Sequence, residues 1–157
     1  LIAAAALLAK PFPDLQFVLL GEGEDRQQLD LAAKSAGNVE LLGQQSEVQN
    51  YLAGFDMFLF PSRDEGLGSS VIDAMTFGLP VISSDAGGLP DLVEHGITGL
   101  MFVSGDVEAI VASVTRLRND PQLARELGEA ARAKSANYSA AIMAEKYQQI
   151  YQGVLTG

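Results

Sequence analysis

The sequence contains no cysteine, no tryptophan and a single histidine, His95. Without cysteine there is no disulfide and no thiol chemistry. One histidine and no thiolate leave little from which to build a zinc site. Cationic residues are scarce as well. Ten Lys and Arg stand against twenty Asp and Glu, a formal net charge of −10. Such a domain is a poor generic binder of nucleic acid or of an anionic membrane surface. No apolar run approaches the ~20 residues of a membrane span. Leu1 to Ala9 is apolar, but Lys10 ends it and no basic segment precedes it, so it reads as neither signal peptide nor anchor. The lack of cysteine suits a reducing cytoplasm, and the expectation is a cytoplasmic protein, with peripheral attachment to a membrane through a further domain as the alternative.

What is present suits one globular domain over residues 1–157, with 48% hydrophobic and 19% charged residues. No internal repeat, linker or low-complexity tract divides it. Leu1 to Ala9 reads as the end of a helix, stopped by Pro11 and Pro13. Gln16 to Leu20 and Val39 to Leu42 are apolar strands closing on Gly21 and Gly43. Between them Asp25 to Ser35 has the helical period, with Leu29, Ala32 and Ala33 on one face and a stop at Gly37 or Asn38. Val48, Tyr51, Leu52 and Phe55 suggest a short helix before a strand at Met57 to Phe60. Further on, Pro90 opens a short helix ending at Gly96, and Leu100 to Val103 is the last strand. Asp106, Asp120 and Ser139 are placed to cap three final helices. The last carries an apolar stripe, including Tyr147 and Tyr151, that reads as packing surface. Strands and helices alternate at short intervals, and the strands are nearly continuous apolar runs. That pattern predicts an α/β fold with a doubly wound parallel sheet, Rossmann-like.

The chain is organised around Phe55 to Gly88. A strand stops at Pro61-Ser62, and Glu65-Gly66-Leu67-Gly68 makes a tight loop. Ser69 or Ser70 can then cap a helix that Gly78 and Pro80 terminate, and Val81-Ile82 starts another strand. A loop between a strand's carboxyl end and a helix start is where open α/β sheets bind ligands, and the helix's free N–H groups suit phosphate. Taken singly, each residue also has a plainer reading. Glu65 is a solvated loop carboxylate, Asp73 part of a capping box with Ser70, Ser62 a turn cap, and Gly43 and Gly21-Glu22-Gly23 turns.

Pro61-Ser62, Glu65 to Gly68, Asp73-Ala74-Met75, Gly78 to Ile82, Gly87-Gly88 and Glu94 to Leu100 follow one another as in a known family. The chain resembles the C-terminal domain of family 4 retaining glycosyltransferases, enzymes with two Rossmann-like domains and the active site between them. The resemblance implies a nucleotide diphosphate sugar as donor (UDP, GDP or ADP type), with no obligatory metal and no cofactor. It implies that Glu65 meets donor-sugar hydroxyls in the catalytic centre and that Asp73 accepts from the ribose hydroxyls. Gly66, Leu67, Gly68 and Ser69 would line the sugar or diphosphate, Ser62 would face the ligand, and Gly43 and Gln44 would pack the base. Asp73 stands where the family has the longer Glu, and Leu67 where Phe is commoner.

The family domain opens with a central strand and a loop carrying an Arg and a Lys, and neither is in this sequence. The resemblance therefore implies a fragment lacking that strand, the basic pair and the N-terminal acceptor domain, and inactive alone. It also implies a gap in the sheet, with a strand from a second copy in a swapped homo-oligomer as the expected filling. The alternative is a non-catalytic nucleotide-binding or scaffold module derived from such an enzyme. A nucleotide-sugar epimerase would lack the Glu-Gly-Leu-Gly run. A dinucleotide-dependent oxidoreductase would want a third glycine where Arg26 stands. His95, between Glu94 and Gly96, reads as structural.

Overall fold

The computed structural model describes residues 1–156. Five short strands alternate with helices: α1 (Ile2–Ala9), β1 (Phe17–Leu20), α2 (Arg26–Ala36), β2 (Val39–Gly43), α3 (Val48–Leu52), β3 (Phe58–Phe60), α4 (Ser69–Thr76), β4 (Val81–Ser84), α5 (Leu89–Leu92) and β5 (Gly99–Phe102). Then come α6 (Val107–Asn119), α7 (Pro121–Ser135), a 3-10 turn (Ala136–Tyr138) and α8 (Ala140–Thr156). All pairings are parallel, as the apolar strands and intervening helices predict.

The sheet is not continuous. β1 pairs with β2, and β3, β4 and β5 form a second sheet with β4 in the middle. The free edges of β1 and β3 face one cavity of about 1360 Å³, lined by Phe17 to Leu20 and Phe58 to Phe60 and floored by Ile82 and Leu117. This slot lies where the expected central strand would stand, and no strand among the described residues enters it.

Alternation along the strands divides the core into two layers. On one face Ala4, Ala5 and Leu8 of α1 pack with Ile82, Leu100, Phe102 and the α6 stripe Ile110, Val114 and Leu117. On the other, Val71, Ala74 and Met75 of α4 and Leu89 and Leu92 of α5 pack with Val81. The first layer spans both sheets, so the halves are held by side chains although no backbone ladder joins them. Arg118 of α6 adds an exposed ion pair to Asp14, 2.6 Å, and its hydrogen bond holds that carboxyl below the usual range.

Several expected helix ends are realised in detail. Asp106 accepts from the Ala109 amide and Asp120 from that of Leu123. Gly37 closes α2 in the left-handed conformation. Three expectations need correction. The cap of α4 is Gly68, not Ser69 or Ser70, and the Gly68 amide is taken by Glu65 Oε1 and not by Asp73, so Asp73 forms no capping box. The helix begun near Pro90 stops at Leu92 rather than Gly96, because Val93 is extended and the Glu94 amide donates to Thr98 Oγ1. The α8 stripe does not pack on this domain: Tyr147 is 56% and Tyr151 64% exposed. The two rings stack on each other instead.

Candidate functional site

The fold sets the loop Pro61–Gly68 at the carboxyl end of β3, where a parallel sheet presents its ligands. The loop is short and heavily cross-braced. The Ser62 hydroxyl donates to the Asp64 carbonyl at 2.8 Å, so its role in this structure is to close the turn. The Ser62 carbonyl accepts from Ser84 Oγ at 2.6 Å and from Ser104 Oγ at 3.3 Å, which ties the loop to the ends of β4 and β5. Glu65 is half-buried, and its Oε1 accepts the Gly68 amide at 3.1 Å. One carboxylate oxygen thus shapes the loop, and the other carries none of the loop's hydrogen bonds.

The loop's two glycines answer to different demands. Gly68 has φ +67°, and a Cβ there would meet Leu89 and Leu92 at 2.9 Å. The fold itself requires it. Gly66 has an ordinary φ, and a Cβ would have nothing within 4 Å. Neither backbone strain nor packing explains Gly66, but approach of a ligand to the backbone would. Alanine at the two positions should therefore separate fold from function. Gly68→Ala is expected to cost about 2–4 kcal/mol, from clash plus a strained φ. Gly66→Ala should change stability by less than about 1 kcal/mol. Urea unfolding of the two variants checks the contrast; equal losses would remove it.

Leu67 projects into solvent, 58% exposed, and the opening residues of α4, Ser69 and Ser70, are exposed too. Their amides precede the first intrahelical acceptor and are free for an external one. Asp73 lies on the same exposed side, one turn further along, while Val71, Ala74 and Met75 face the core. Glu65, Gly66, Leu67, Gly68, Ser69 and Asp73 thus form one continuous rim.

Gly43 and Gln44 lie apart from this rim, at the end of β2 in the other sheet. Gln44 and Ser70 nevertheless line the same cavity, so the end of β2 and the start of α4 border one space. Gly43 has φ +71°, and a Cβ would lie 2.5 Å from Glu22 Oε1. The Gly21–Gly23 loop therefore packs onto Gly43. Arg26 holds it there, bonding Glu22, Asp30 and the Leu41 carbonyl. Ser84, Ser104 and Glu22 were not legible as contributors. Hydroxyls at the end of an apolar strand were the only available signal for Ser84.

His95 Nδ1 accepts from the Met101 amide at 2.9 Å, a structural role as expected. Among the described residues no group of three His, Asp or Glu could hold a metal ion. No helix among them is long and apolar enough to cross a membrane.

Comparison with known proteins gives the family and the fold. Residues 1–134 match the family model described as glycosyl transferases group 1. A Haemophilus influenzae protein called an uncharacterized glycosyltransferase is 30% identical, over 95% of this chain and 42% of its own length. The sulfoquinovosyl transferase of Arabidopsis thaliana is 35% identical, over 80% of this chain and 26% of its own. The chain therefore spans well under half of these relatives. Among solved structures, Anabaena HepE in complex with UDP-glucose superposes with a TM-score of 0.84 at 25% identity, over 99% of this chain and 44% of that one. TarM superposes at 0.85 with 27% identity, over 96% of this chain and 31% of that one.

Proposed function

Starting from a chain that belongs to the group 1 glycosyl transferases, we propose that the Glu65 loop and α4 hold a nucleotide diphosphate sugar, and that the intact protein transfers the sugar to an acceptor with retention of anomeric configuration. One observation carries the reading. Gly66, a glycine the fold does not need, lies beside a carboxylate with a spare oxygen and a helix start with unbonded amides.

In this reading Glu65 accepts from hydroxyls of the donor sugar in the catalytic centre. The Gly66 to Ser69 backbone lies against the sugar and diphosphate, Ser69 and Ser70 amides supplying the donors. Asp73 accepts from the ribose, and the Gly43-Gln44 backbone packs the base. UDP-glucose on the structural relative HepE supports a uridine nucleotide as first choice. Stabilising the departing diphosphate calls for positive charge; among the described residues the loop's only basic side chain is the exposed Arg63, which makes no ion pair, and in this reading further positive charge comes from elsewhere in the longer protein. No metal is part of the reading. The acceptor is held by another domain. The exposed stripe Met143, Tyr147, Ile150 and Tyr151 of α8 suits packing against that domain. A strand, from the longer protein or from a second copy, fills the slot between β1 and β3. This chain alone is expected to transfer no sugar.

Titration of isotope-labelled chain with UDP, GDP and ADP, followed by backbone amide NMR, tests the donor role. Shifts concentrated at Glu65 to Asp73 and at Gly43 are expected, largest for UDP. Shifts elsewhere, or none with any nucleotide, would overturn the assignment of these residues. A non-catalytic nucleotide-binding module is the second reading, and one observation favours it. The Glu65–Gly68 bond gives the carboxylate a structural use that needs no ligand. Transfer by the intact protein would remove that reading.

A further inference from the structure

The Glu65 loop owes its shape largely to residues outside it. The turn that follows β4 presses directly on its backbone. The Gly88 amide donates to the Glu65 carbonyl at 3.1 Å. A Cβ on Gly87 would run into that same carbonyl oxygen, and a Cβ on Gly88 into the carbonyl of Gly66. Gly87 also has φ +54°, where a side chain is strained. Both contacts are backbone against backbone, so no flexible side chain can yield to relieve them.

The turn is itself fixed. The Asp85 amide donates to the Phe102 carbonyl, and Asp85 Oδ1 accepts the Ser104 amide at 2.9 Å. Ser84, at the end of β4, reaches the Ser62 carbonyl at the other end of the loop. Leu89 and Leu92, just after the turn, lie beneath Gly68. Four points of the loop, at Ser62, Glu65, Gly66 and Gly68, thus take their positions from the segment Ser84 to Leu92.

We propose that the Gly87-Gly88 turn is the positioning element of the donor loop. It sets the direction of the Glu65 carboxylate and of the Gly66 and Leu67 backbone without touching the ligand. The inference rests on the donor-site reading of that loop. A plain turn into α5 would need a glycine only for φ at Gly87. It would not need Gly88, whose φ is ordinary, nor two loops within main-chain contact.

Gly87→Ala tests it in the chain as it stands. The amide resonances of Glu65 to Gly68 should move in the absence of nucleotide, while those of Ile82 and Leu100 in the core strands stay in place. The apparent dissociation constant for UDP should then rise at least tenfold. Ser84→Ala, which removes one brace and adds no clash, should move the same loop resonances less and weaken UDP two- to threefold. If Gly87→Ala does not fold, Asp85→Ala, which frees the turn from the Ser104 amide and adds no clash, takes its place, and unmoved Glu65 to Gly68 resonances in it would overturn the proposal. Loop resonances unmoved in a folded variant, with UDP bound as in the parent, would overturn the proposal. Moved resonances in a protein whose parent never responds to UDP would leave the brace standing and remove the donor reading instead.

Discussion

The amides of Val18 and Leu59 should exchange with solvent at least about a hundredfold faster than that of Ile82. Phe17 donates its amide to Asn38 on the β2 side and Phe58 to Pro80 on the β4 side. Successive residues of a parallel strand point their N–H groups to opposite neighbours. Val18 and Leu59 therefore turn theirs into the slot, where no strand of this chain accepts them. β4, by contrast, is laddered on both sides. Hydrogen exchange read residue by residue makes the comparison.

A strand supplied to the slot should reverse this. β1 pairs over four residues and β3 over three, so an apolar, β-branched segment of four or five residues is the right length. Burying four such side chains contributes about 1.5–3 kcal/mol each, against roughly 1.5 kcal/mol per ordered residue. For four residues the surplus is roughly 3 kcal/mol, the middle of a range of about 0–6, and corresponds to a rise of ~10 °C in the thermal midpoint for a domain of this size. Fusing the segment ahead of Leu1 and measuring the midpoint provides the test. No rise, with Val18 and Leu59 still exchanging freely, would mean that the slot does not accept a strand. Protection of the two amides in the unfused chain that strengthens with concentration would identify a second copy as the donor of the strand.

Asp73→Ala should remove most of the nucleotide response and leave stability intact. The carboxylate is exposed and makes no cap bond, and alanine is the better helix former, so the fold has nothing to lose there. A lost charge-assisted pair of hydrogen bonds to ribose hydroxyls is worth about 1.5–3 kcal/mol, roughly ten- to a hundredfold in affinity. Asp73→Glu extends the carboxylate by one methylene and should hold UDP at least as well as the parent. Glu65→Gln is the companion test. It keeps an oxygen for the Gly68 amide while removing the charge, so the loop should hold its shape as sugar-nucleotide binding falls. Unchanged UDP affinity in Asp73→Ala would remove the ribose contact. Collapse of the loop in Glu65→Gln would show that the carboxylate is needed for structure first.

Much of the architecture was legible because it is written in local chemistry. Helix stops at Gly37 and Gly78, caps at Asp106 and Asp120, and the apolar strands depend on neighbouring residues and on burial alone. They came out as read. Where the reading failed, contacts from distant residues had intervened. Ser69 and Ser70 lost the cap to Gly68 because Leu89 and Leu92 hold the chain there in the left-handed conformation. The short helix after Pro90 gave way when Thr98 captured the Glu94 amide. Tyr147 and Tyr151 kept their helical stripe, but whether a stripe is covered depends on what lies opposite, and within this domain nothing does.

The candidate site divides the same way. Sequence order alone placed Glu65, its glycines and Asp73 on a strand–loop–helix unit, since that unit is contiguous and its geometry follows from residue type. It could not say which glycine serves the fold and which stands open, because that depends on atoms about twenty residues away. Only tertiary structure decided that Gly68 is demanded by α5, that Gly66 is not demanded at all, and that Gly87 and Gly88 press on the Glu65 loop. It also decided that β1 and β3 leave a slot between them, since a missing neighbour is a property of the assembled sheet and of no single strand.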